Sequence, residues 1–165
     1  MPTQQSPTSG SPVDDLDLRV LAAFAQTPDT TVKALAQALR IPESTCAYRL
    51  RMLRERGIIE GLRAHLDLAA LGHPVQAMIR VRLGNHSKAG VEALFDDLVH
   101  TAGVLQVFHI AGADDFLVHV AVRDAAALRD IVLEEITIHE VVRATETQLV
   151  FELREGVGVL PRAQG

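Results

Sequence analysis

The sequence predicts an α+β protein built from two parts, a helical first part and a second part in which strands and helices alternate. Up to about residue 66, large apolar residues recur three and four positions apart, the spacing of one helix face. From Val75 onward, apolar and polar residues alternate along short segments, the pattern of strands. Formal charge changes at the same place. Residues 1–66 hold eight basic and seven acidic side chains (8 − 7 = +1), and residues 67–165 hold eight and fourteen (8 − 14 = −6).

Three helices are predicted in the first part. The first opens at the acidic residues 14–17, which suit the positive end of a helix, and ends before Pro28. Either threonine of residues 30–31 can cap the second helix. The third begins at about Pro42, because proline is favoured in a first turn, and ends at Gly57, which suits a left-handed cap.

The second and third helices have the pattern of a helix-turn-helix. At 100° per residue, Cys46, Leu50 and Leu53 fall within about 60° of one another and form a narrow core-facing stripe. The helix is otherwise polar, and residues 40–63 hold six arginines and three glutamates (6 − 3 = +3). Two short helices joined by a tight turn, the second with a polar outward face, are typical of DNA binding. Residues 58–66 are predicted to form a short hairpin or wing.

The DNA-binding candidates are the outward-facing and basic residues of this region: Ser44, Thr45, Tyr48, Arg49, Arg51, Arg54, Arg56 and Arg63. The competing interpretation is an ordinary solvated helix face with intrahelical pairs such as Arg51–Glu55. Arg49 lies near the core stripe, so a second role for it is to orient the helix through a buried pair.

The second part has the order βαββαβ over about 80 residues, which predicts a ferredoxin-like domain. This fold covers one face of its sheet with helices and leaves the other open. The apolar residues expected on the open face are Met78, Leu117, Leu105 or Phe108, and Val150, so a second subunit is expected to pack there. The predicted strands and helices are residues 75–83, 87–100, 104–111, 116–123, 125–136 and 141–153.

The domain boundaries follow from these patterns and from composition. The predicted segments are a disordered tail at 1–12, a helix-turn-helix domain at 13–66, a connecting segment at 67–73, a ferredoxin-like domain at 74–155 and a flexible tail at 156–165. No apolar run is long enough to cross a membrane, and the N-terminus has no secretory pattern. The single cysteine, Cys46, excludes a disulfide framework and is expected to lie in the core. We therefore expect a cytoplasmic protein with no membrane partner.

These residues together resemble the Lrp/AsnC (feast/famine) family of transcriptional regulators over roughly residues 13–154. Short collinear motifs carry the resemblance: Val13-Asp14-x-x-Asp17-x-x-Val20-Leu21, Leu35-Ala36, Arg49-Leu50-x-x-Leu53-x-x-x-Gly57-Ile58-Ile59, Leu71-Gly72, Gly112-x-x-Asp115 and Val142-x-x-Thr145-x-Thr147. The resemblance implies a winged helix-turn-helix, joined by a hinge to a ligand-sensing domain, that binds double-stranded DNA.

The resemblance also implies an effector and an assembly. Family members form dimers through their sensing sheets, and the dimers assemble further, often into octamers. Amino acids bind between dimers and alter DNA affinity or assembly, with no cofactor. The effector region of the family maps onto Gly112, Ala113, Asp114, Asp115, Gln148 and Leu149. The spacing of residues 112–115 alone instead favours a plain hairpin turn, because glycine and aspartate are common there.

Five positions depart from the family pattern. Pro42 replaces the usual serine before the recognition helix, so the helix must begin with a different cap. Residues 28–29 replace a common Gly-Arg pair. Tyr48 stands where a basic residue is common, and Ala113 lies in the effector turn. The operator sequence and the identity of the amino acid therefore do not transfer from the family.

Two other classes of function stay open from the sequence. Haem-precursor decarboxylases resemble the same family in both domains, and His109, His119 and Arg123 would then be the residues that contact a tetrapyrrole. A module that binds an effector and assembles, without binding DNA, is the third alternative. We expect no enzyme and no metal site, because the seven histidines are scattered and none has a metal-binding spacing.

Overall fold

A computed structural model describes residues 13–84 and 87–160 of the chain. Residues 1–12 and His86, along with residues 161–165 of the predicted C-terminal tail, lie outside these ranges. The chain divides into two compact units. The first runs to Ala64 and includes residues 155–160, and the second comprises His65–Arg154. No helix in the described part of the chain is both long and apolar enough to span a bilayer.

Three helices form the first unit: α1 (Asp15–Gln26), α2 (Val32–Leu39) and α3 (Glu43–Glu55). Asp14 caps α1 in a reciprocal capping box with Asp17, and Thr31 caps α2. Gly57 closes α3 with a φ of 69°, which confirms the predicted left-handed cap. The buried core residues come from all three helices, and they are Val20, Phe24, Leu35, Ala36, Leu39, Cys46, Leu50 and Leu53.

A tight turn joins α2 to α3. Arg40 ends α2 in the left-handed conformation (φ 56°), and the N–H of Ile41 donates to the carbonyl of Ala36 at 3.0 Å. Pro42 precedes α3 and makes no side-chain capping hydrogen bond. The prediction of a different cap at this position is therefore confirmed, because proline has no side-chain acceptor to offer.

The predicted hairpin after α3 is wrong. Residues 58–66 contain no strand, and Leu62 and Leu66 are more than half exposed. A hairpin needs a second segment whose N–H and carbonyl groups pair with the first. No described residue pairs with residues 58–66 in a sheet.

The second unit has the predicted βαββαβ order. Its elements are β1 (Val75–Leu83), α4 (Lys88–His100), β2 (Val104–His109), β3 (Phe116–Val122), α5 (Ala125–Asp130) and β4 (Val142–Val150). The strands form one antiparallel sheet in the order β2-β3-β1-β4. This is the ferredoxin-like arrangement. β2 and β3, which are consecutive in the chain, lie side by side in the sheet and are joined by a short turn.

Alternation along the central strands separates the two faces of this sheet. Alternate residues of β1 and β3, such as Ile79, Val81 and Val118, are fully buried in the core with Leu94 and Leu98 of α4. The opposite face carries, by register, Met78 on β1, Phe108 beside Leu117, and Val150 beside Gln76. The predicted apolar residues therefore lie on the face that no helix covers.

One predicted helix changes type within its length. The sequence predicts a single α-helix over residues 125–136, but Ile131–Ile136 is π-helical. The N–H of Thr137 donates to the carbonyl of Val132 at 2.9 Å, five residues back. The wider turn buries both Ile131 and Ile136, which are five positions apart and would diverge on an α-helix.

Gly103, before β2, has a backbone that only glycine adopts without strain. Its φ is 89°, and a Cβ there would lie 3.1 Å from the carbonyl oxygen of Ala121, which is backbone and cannot rotate away. We expect Gly103→Ala to lower the free energy of unfolding by at least about 1 kcal/mol. Urea unfolding followed by circular dichroism measures this. Gly61→Ala is the control, since its Cβ would meet nothing within 4 Å and its φ is ordinary. Equal stability of the two variants would contradict the expectation.

Candidate DNA interface and effector site

The outward face of α3 carries the candidates for contact with base edges. Ser44 and Tyr48 are exposed, with Tyr48 at 52% of its maximum, and Thr45 is half-buried. The guanidinium of Arg51 lies 5.5 Å from the centre of the Tyr48 ring. Arg51 also pairs with Glu55 at 3.8 Å, as the competing interpretation expected, but both side chains are largely exposed. Such a pair contributes little to stability, so it leaves Arg51 able to meet a phosphate.

Two further arginines of the candidate set lie at the surface. The guanidinium of Arg54 sits 5.6 Å from the centre of the Phe24 ring on α1, and its side chain is exposed. Arg63 is exposed in the segment that lacks regular structure. Neither has an acidic partner among the ion pairs described for the chain.

Arg49 and Arg56 have a different environment. Arg49 Nη1 lies 2.5 Å from Asp14 Oδ2 and 3.1 Å from Asp17 Oδ1. Arg56 Nη1 lies 3.6 Å from Asp17 Oδ2. Both arginines, proposed from sequence as DNA contacts, therefore bind the start of α1, and the alternative role of Arg49 in orienting the helix matches this geometry.

The turn between β2 and β3 is held by two arginines of β1. Arg80 Nε and Arg82 Nε each donate to a carboxylate oxygen of Asp114 at 2.7 Å. Asp114 is only 7% exposed, yet these bonds hold the pKa of its carboxyl below the ordinary value, with Arg82 as the larger cause and Arg80 next. Asp114 is thus a charged group at a nearly buried position, stabilised by two charge-assisted hydrogen bonds.

Asp115 is engaged by the backbone of β1. Its carboxylate accepts a hydrogen bond from the N–H of Leu83 at 2.8 Å, and its own N–H donates to the carbonyl of Val81 at 2.9 Å. Gly112, with φ 149°, and Ala113 form the exposed tip of the turn. The carboxylate of Asp115, one of the predicted effector residues, therefore already accepts a hydrogen bond from the end of β1, whereas the residues at the tip of the turn are exposed.

The two predicted effector segments are connected through side chains that the sequence did not single out. Arg80 Nη1 also donates to Glu146 Oε2 of β4 at 3.2 Å, and Gln148 Nε2 donates to Glu146 Oε1 at 3.0 Å. Leu149, one residue on, faces the other side of the sheet and is 55% exposed. The alternation of Arg80 and Arg82 along β1 is the signal that could have revealed this network, because it places both on one face.

A cleft of about 600 Å³ lies elsewhere in the second unit, between the end of α4, the end of β3 and the π-helical segment. None of the predicted effector residues lines it. Its walls carry mixed acidic and basic groups, among them Asp97, His139 and Arg123.

The residues suspected for a tetrapyrrole enzyme do not share a site. His109 pairs in register with Phe116 and stacks on it at 4.6 Å, on the helix-covered face. His119 lies on the opposite face, where its Nε2 is 3.0 Å from Gln76 Oε1 and burial lowers its pKa. Arg123 is exposed and pairs with the neighbouring Asp124.

Comparison with known families agrees with this architecture. Residues 13–60 match the family of winged helix-turn-helix DNA-binding domains, and residues 76–154 match the Lrp/AsnC ligand binding domain. A DNA-reading head followed by a ligand-binding domain defines a DNA-binding transcriptional regulator modulated by an effector.

The relatives specify the family. The chain is 36% identical over 160 residues to the HTH-type transcriptional regulator AldR of Mycolicibacterium smegmatis, covering 93% of this chain and 94% of that protein. It is 31% identical to the leucine-responsive regulatory protein of Rhizobium meliloti, covering 83% and 88%. The protein belongs to the Lrp/AsnC family of transcriptional regulators.

Solved structures share the fold. The crystal structure of MtbAldR superposes with a TM-score of 0.73 at 32% identity, covering 90% of this chain and 97% of that one. A transcriptional regulator from Neisseria meningitidis, solved as a complex with L-methionine, superposes with a TM-score of 0.82 at 24% identity, covering 90% and 96%.

The lowered pKa of Asp114 predicts a specific pH dependence of stability. A carboxyl whose pKa is lowered in the folded state stabilises the fold above its unfolded pKa, and this stabilisation disappears as the pH falls through the folded pKa. We therefore expect Asp114→Asn to be less stable than the wild type near neutral pH. The difference should shrink below about pH 4, where the unfolded carboxyl takes up its proton.

Urea unfolding at a series of pH values measures this difference. Asp96→Asn is the matched control, because it removes the same charge from an exposed position on α4. The control should match the wild type at every pH. A deficit of Asp114→Asn that stays constant from acidic to neutral pH would contradict the assignment.

Proposed function

We propose that the protein binds double-stranded DNA through the outward face of α3 and that an amino acid bound at the β2–β3 turn modulates this binding. One observation carries the first half. The apolar stripe of α3 is buried against α1 and α2, while Ser44, Tyr48 and Arg51 lie on the outward side. Arg54 is also exposed, although its guanidinium lies over the ring of Phe24 on α1. A helix whose apolar face packs on its own domain, and whose exposed face carries hydroxyl and guanidinium groups, is suited to binding in a major groove.

The names of related proteins support an amino-acid effector. One relative is a leucine-responsive regulatory protein, and a protein of the same fold was crystallised with L-methionine. In this chain the exposed tip at Gly112 and Ala113 offers backbone N–H groups to a ligand carboxylate, and Gln148 lies on the open face. We place the effector at this turn rather than in the 600 Å³ cleft, because the family motif maps here.

The open sheet face supports a homodimer. Phe108 is 42% and Leu105 39% exposed there, beside Met78 and Leu117. A second copy packed on this face would remove these side chains from water and present two α3 helices to a pseudo-palindromic site. We propose that such dimers assemble further into tetramers or octamers. We also propose that the protein acts in the cytoplasm, where the DNA that it binds is found. Its proposed role is that of a regulator and not of an enzyme.

The DNA proposal predicts that mutating the phosphate-contacting arginines reduces the salt dependence of DNA affinity. Each phosphate contact contributes about 0.9 to the slope of log affinity against log salt. We therefore expect Arg51→Gln and Arg54→Gln each to lower that slope by about this amount and to weaken binding to all sequences alike. Tyr48→Ala should instead relax sequence preference. Fluorescence anisotropy with a duplex selected by the full chain from a random-sequence pool measures both.

The control for charge alone is Lys88→Gln, which removes a cation from an exposed position of the second unit. It should leave the slope unchanged. A wild-type chain that selects no sequence and shows no salt-sensitive binding at micromolar concentration would refute the DNA proposal.

The effector proposal predicts a ligand that depends on Gln148. In a thermal-shift screen over the twenty amino acids, we expect at least one to raise the melting temperature and to change the DNA affinity. Gln148→Ala should abolish this shift without changing DNA affinity in the absence of ligand. Gln106→Ala, an exposed glutamine of β2, is the matched control.

Light scattering with and without the active amino acid measures assembly in the same samples. A dimer or a larger closed assembly is expected. A chain that stays monomeric, or a screen in which no amino acid acts, would contradict the corresponding part of the proposal.

A further inference from the structure

We propose that Asp17, assisted by Asp14, is a positioning residue for DNA recognition. It acts through Arg49 and Arg56, which it binds, and so sets the orientation of α3 on α1. We call these four residues the α1–α3 clamp. This inference rests on the proposed DNA-binding function of α3 and adds the residues that hold the reading helix in place.

The clamp is centred on a carboxylate that is almost removed from water. The side chain of Asp17 is 5% exposed, against 29% for Arg49 and 23% for Arg56. Its Oδ1 meets Arg49 at 3.1 Å and its Oδ2 faces Arg56 at 3.6 Å. In a site of such low exposure, an ion pair is less screened than at the surface.

Asp17 is itself fixed by the start of α1. Its N–H donates to Asp14 Oδ1 at 2.7 Å, and its Oδ2 accepts from the N–H of Asp14 at 3.3 Å. Asp14 in turn binds Arg49. The acidic side of the clamp is therefore fixed by hydrogen bonds within the start of α1, and the arginines reach it from α3.

The two arginines are placed to hold a helix along its length. Arg49 and Arg56 are seven residues apart, so they lie on nearly the same face of α3 and about 10.5 Å apart along its axis. One carboxylate that contacts both resists rotation of α3 about its axis and tilting of its C-terminal end. This restraint matters because the buried stripe of α3 is narrow, with three core residues, Cys46, Leu50 and Leu53, and its N-cap makes no side-chain bond.

Charge counting separates the clamp from the phosphate contacts. Two guanidiniums and two carboxylates sum to zero, so the clamp as a whole exerts little attraction on DNA. The arginines of residues 48–57 that are left for phosphate are then Arg51 and Arg54. Arg49 and Arg56 matter for DNA binding because they position the helix that carries the other two.

The proposal makes a prediction opposite in sign to simple electrostatics. Removing an acidic charge near a DNA-binding helix ordinarily strengthens DNA binding, because repulsion of the phosphates falls. If Asp17 positions α3, Asp17→Asn must instead weaken binding to the preferred sequence. Asp15→Asn is the matched control, since Asp15 lies in the same first turn, is exposed and has no described side-chain partner.

The experiment measures binding of the full-length wild type and both variants to two duplexes of equal length. One is the duplex selected from a random pool and the other has an unrelated sequence. We expect Asp17→Asn to lose roughly tenfold in affinity for the selected duplex, the equivalent of one good base contact. Its affinity for the unrelated duplex should not fall, and Asp15→Asn should bind both duplexes at least as tightly as the wild type.

Salt dependence supplies a readout that loss of stability would not move. Arg49→Gln should keep the wild-type salt slope while losing affinity for the selected duplex, whereas Arg54→Gln should lower the slope by about 0.9. Because Asp17 and Arg49 act as one unit, the double variant Asp17→Asn/Arg49→Gln should lose about as much as either single variant.

Circular dichroism establishes whether each variant is folded. If Asp17→Asn fails to fold, Asp14→Asn replaces it, because Asp14 is half exposed and contributes one contact to Arg49. A smaller loss in the same direction is then expected. The proposal is overturned if the aspartate variant binds the selected duplex as tightly as Asp15→Asn, or if Arg49→Gln lowers the salt slope as Arg54→Gln does. A wild-type chain that binds neither duplex overturns the DNA-binding function itself, and these outcomes are therefore distinct.

Discussion

Each unit of this protein depends on a nearly buried aspartate that binds two arginines. In the first unit Asp17 joins the start of α1 to α3 through Arg49 and Arg56. In the second, Asp114 joins the β2–β3 turn to β1 through Arg80 and Arg82. Leaving any of these carboxylates without its partners would be costly in a poorly hydrated position, so each aspartate determines where its two arginines lie.

The two pairs of arginines have different consequences for function. In the first unit they bind carboxylates at the start of α1. In the proposed DNA complex, a smaller set of exposed side chains on α3 is then left to contact the duplex. In the second they connect the effector turn to β4 through Glu146. A ligand that altered the turn would therefore also act on two strands, since β1, β4 and the turn share one network of charged groups.

Most of the fold was predictable because it follows from local patterns. Helix caps at Asp14 and Thr31, the left-handed Gly57 and the alternation in β1 are each determined by neighbouring residues. The predicted hairpin after α3 and the single α-helix over residues 125–136 were wrong because each depends on distant pairing or packing. Residues 58–66 have no partner strand, and the burial of Ile136 widens its helix into a π-turn.

The candidate site was less predictable than the fold, because its contacts join residues that are distant in the sequence. The sequence identified an arginine-rich helix, but it does not show which arginines face acids thirty residues away. Arg80 and Arg82 were overlooked because only the register of β1 against β4, and the fold of the turn, bring them to Asp114 and Glu146.

The open face of the sheet has a property that follows from its internal pairing. Arg80 and Arg82 are matched by Asp114 and Glu146 within one subunit, so this cluster is electrically neutral before any copy approaches. Association through the face would then draw mainly on its apolar residues and respond weakly to ionic strength. In the proposed dimer, the salt dependence of DNA binding would consequently depend on the α3 helices and not on dissociation of the dimer.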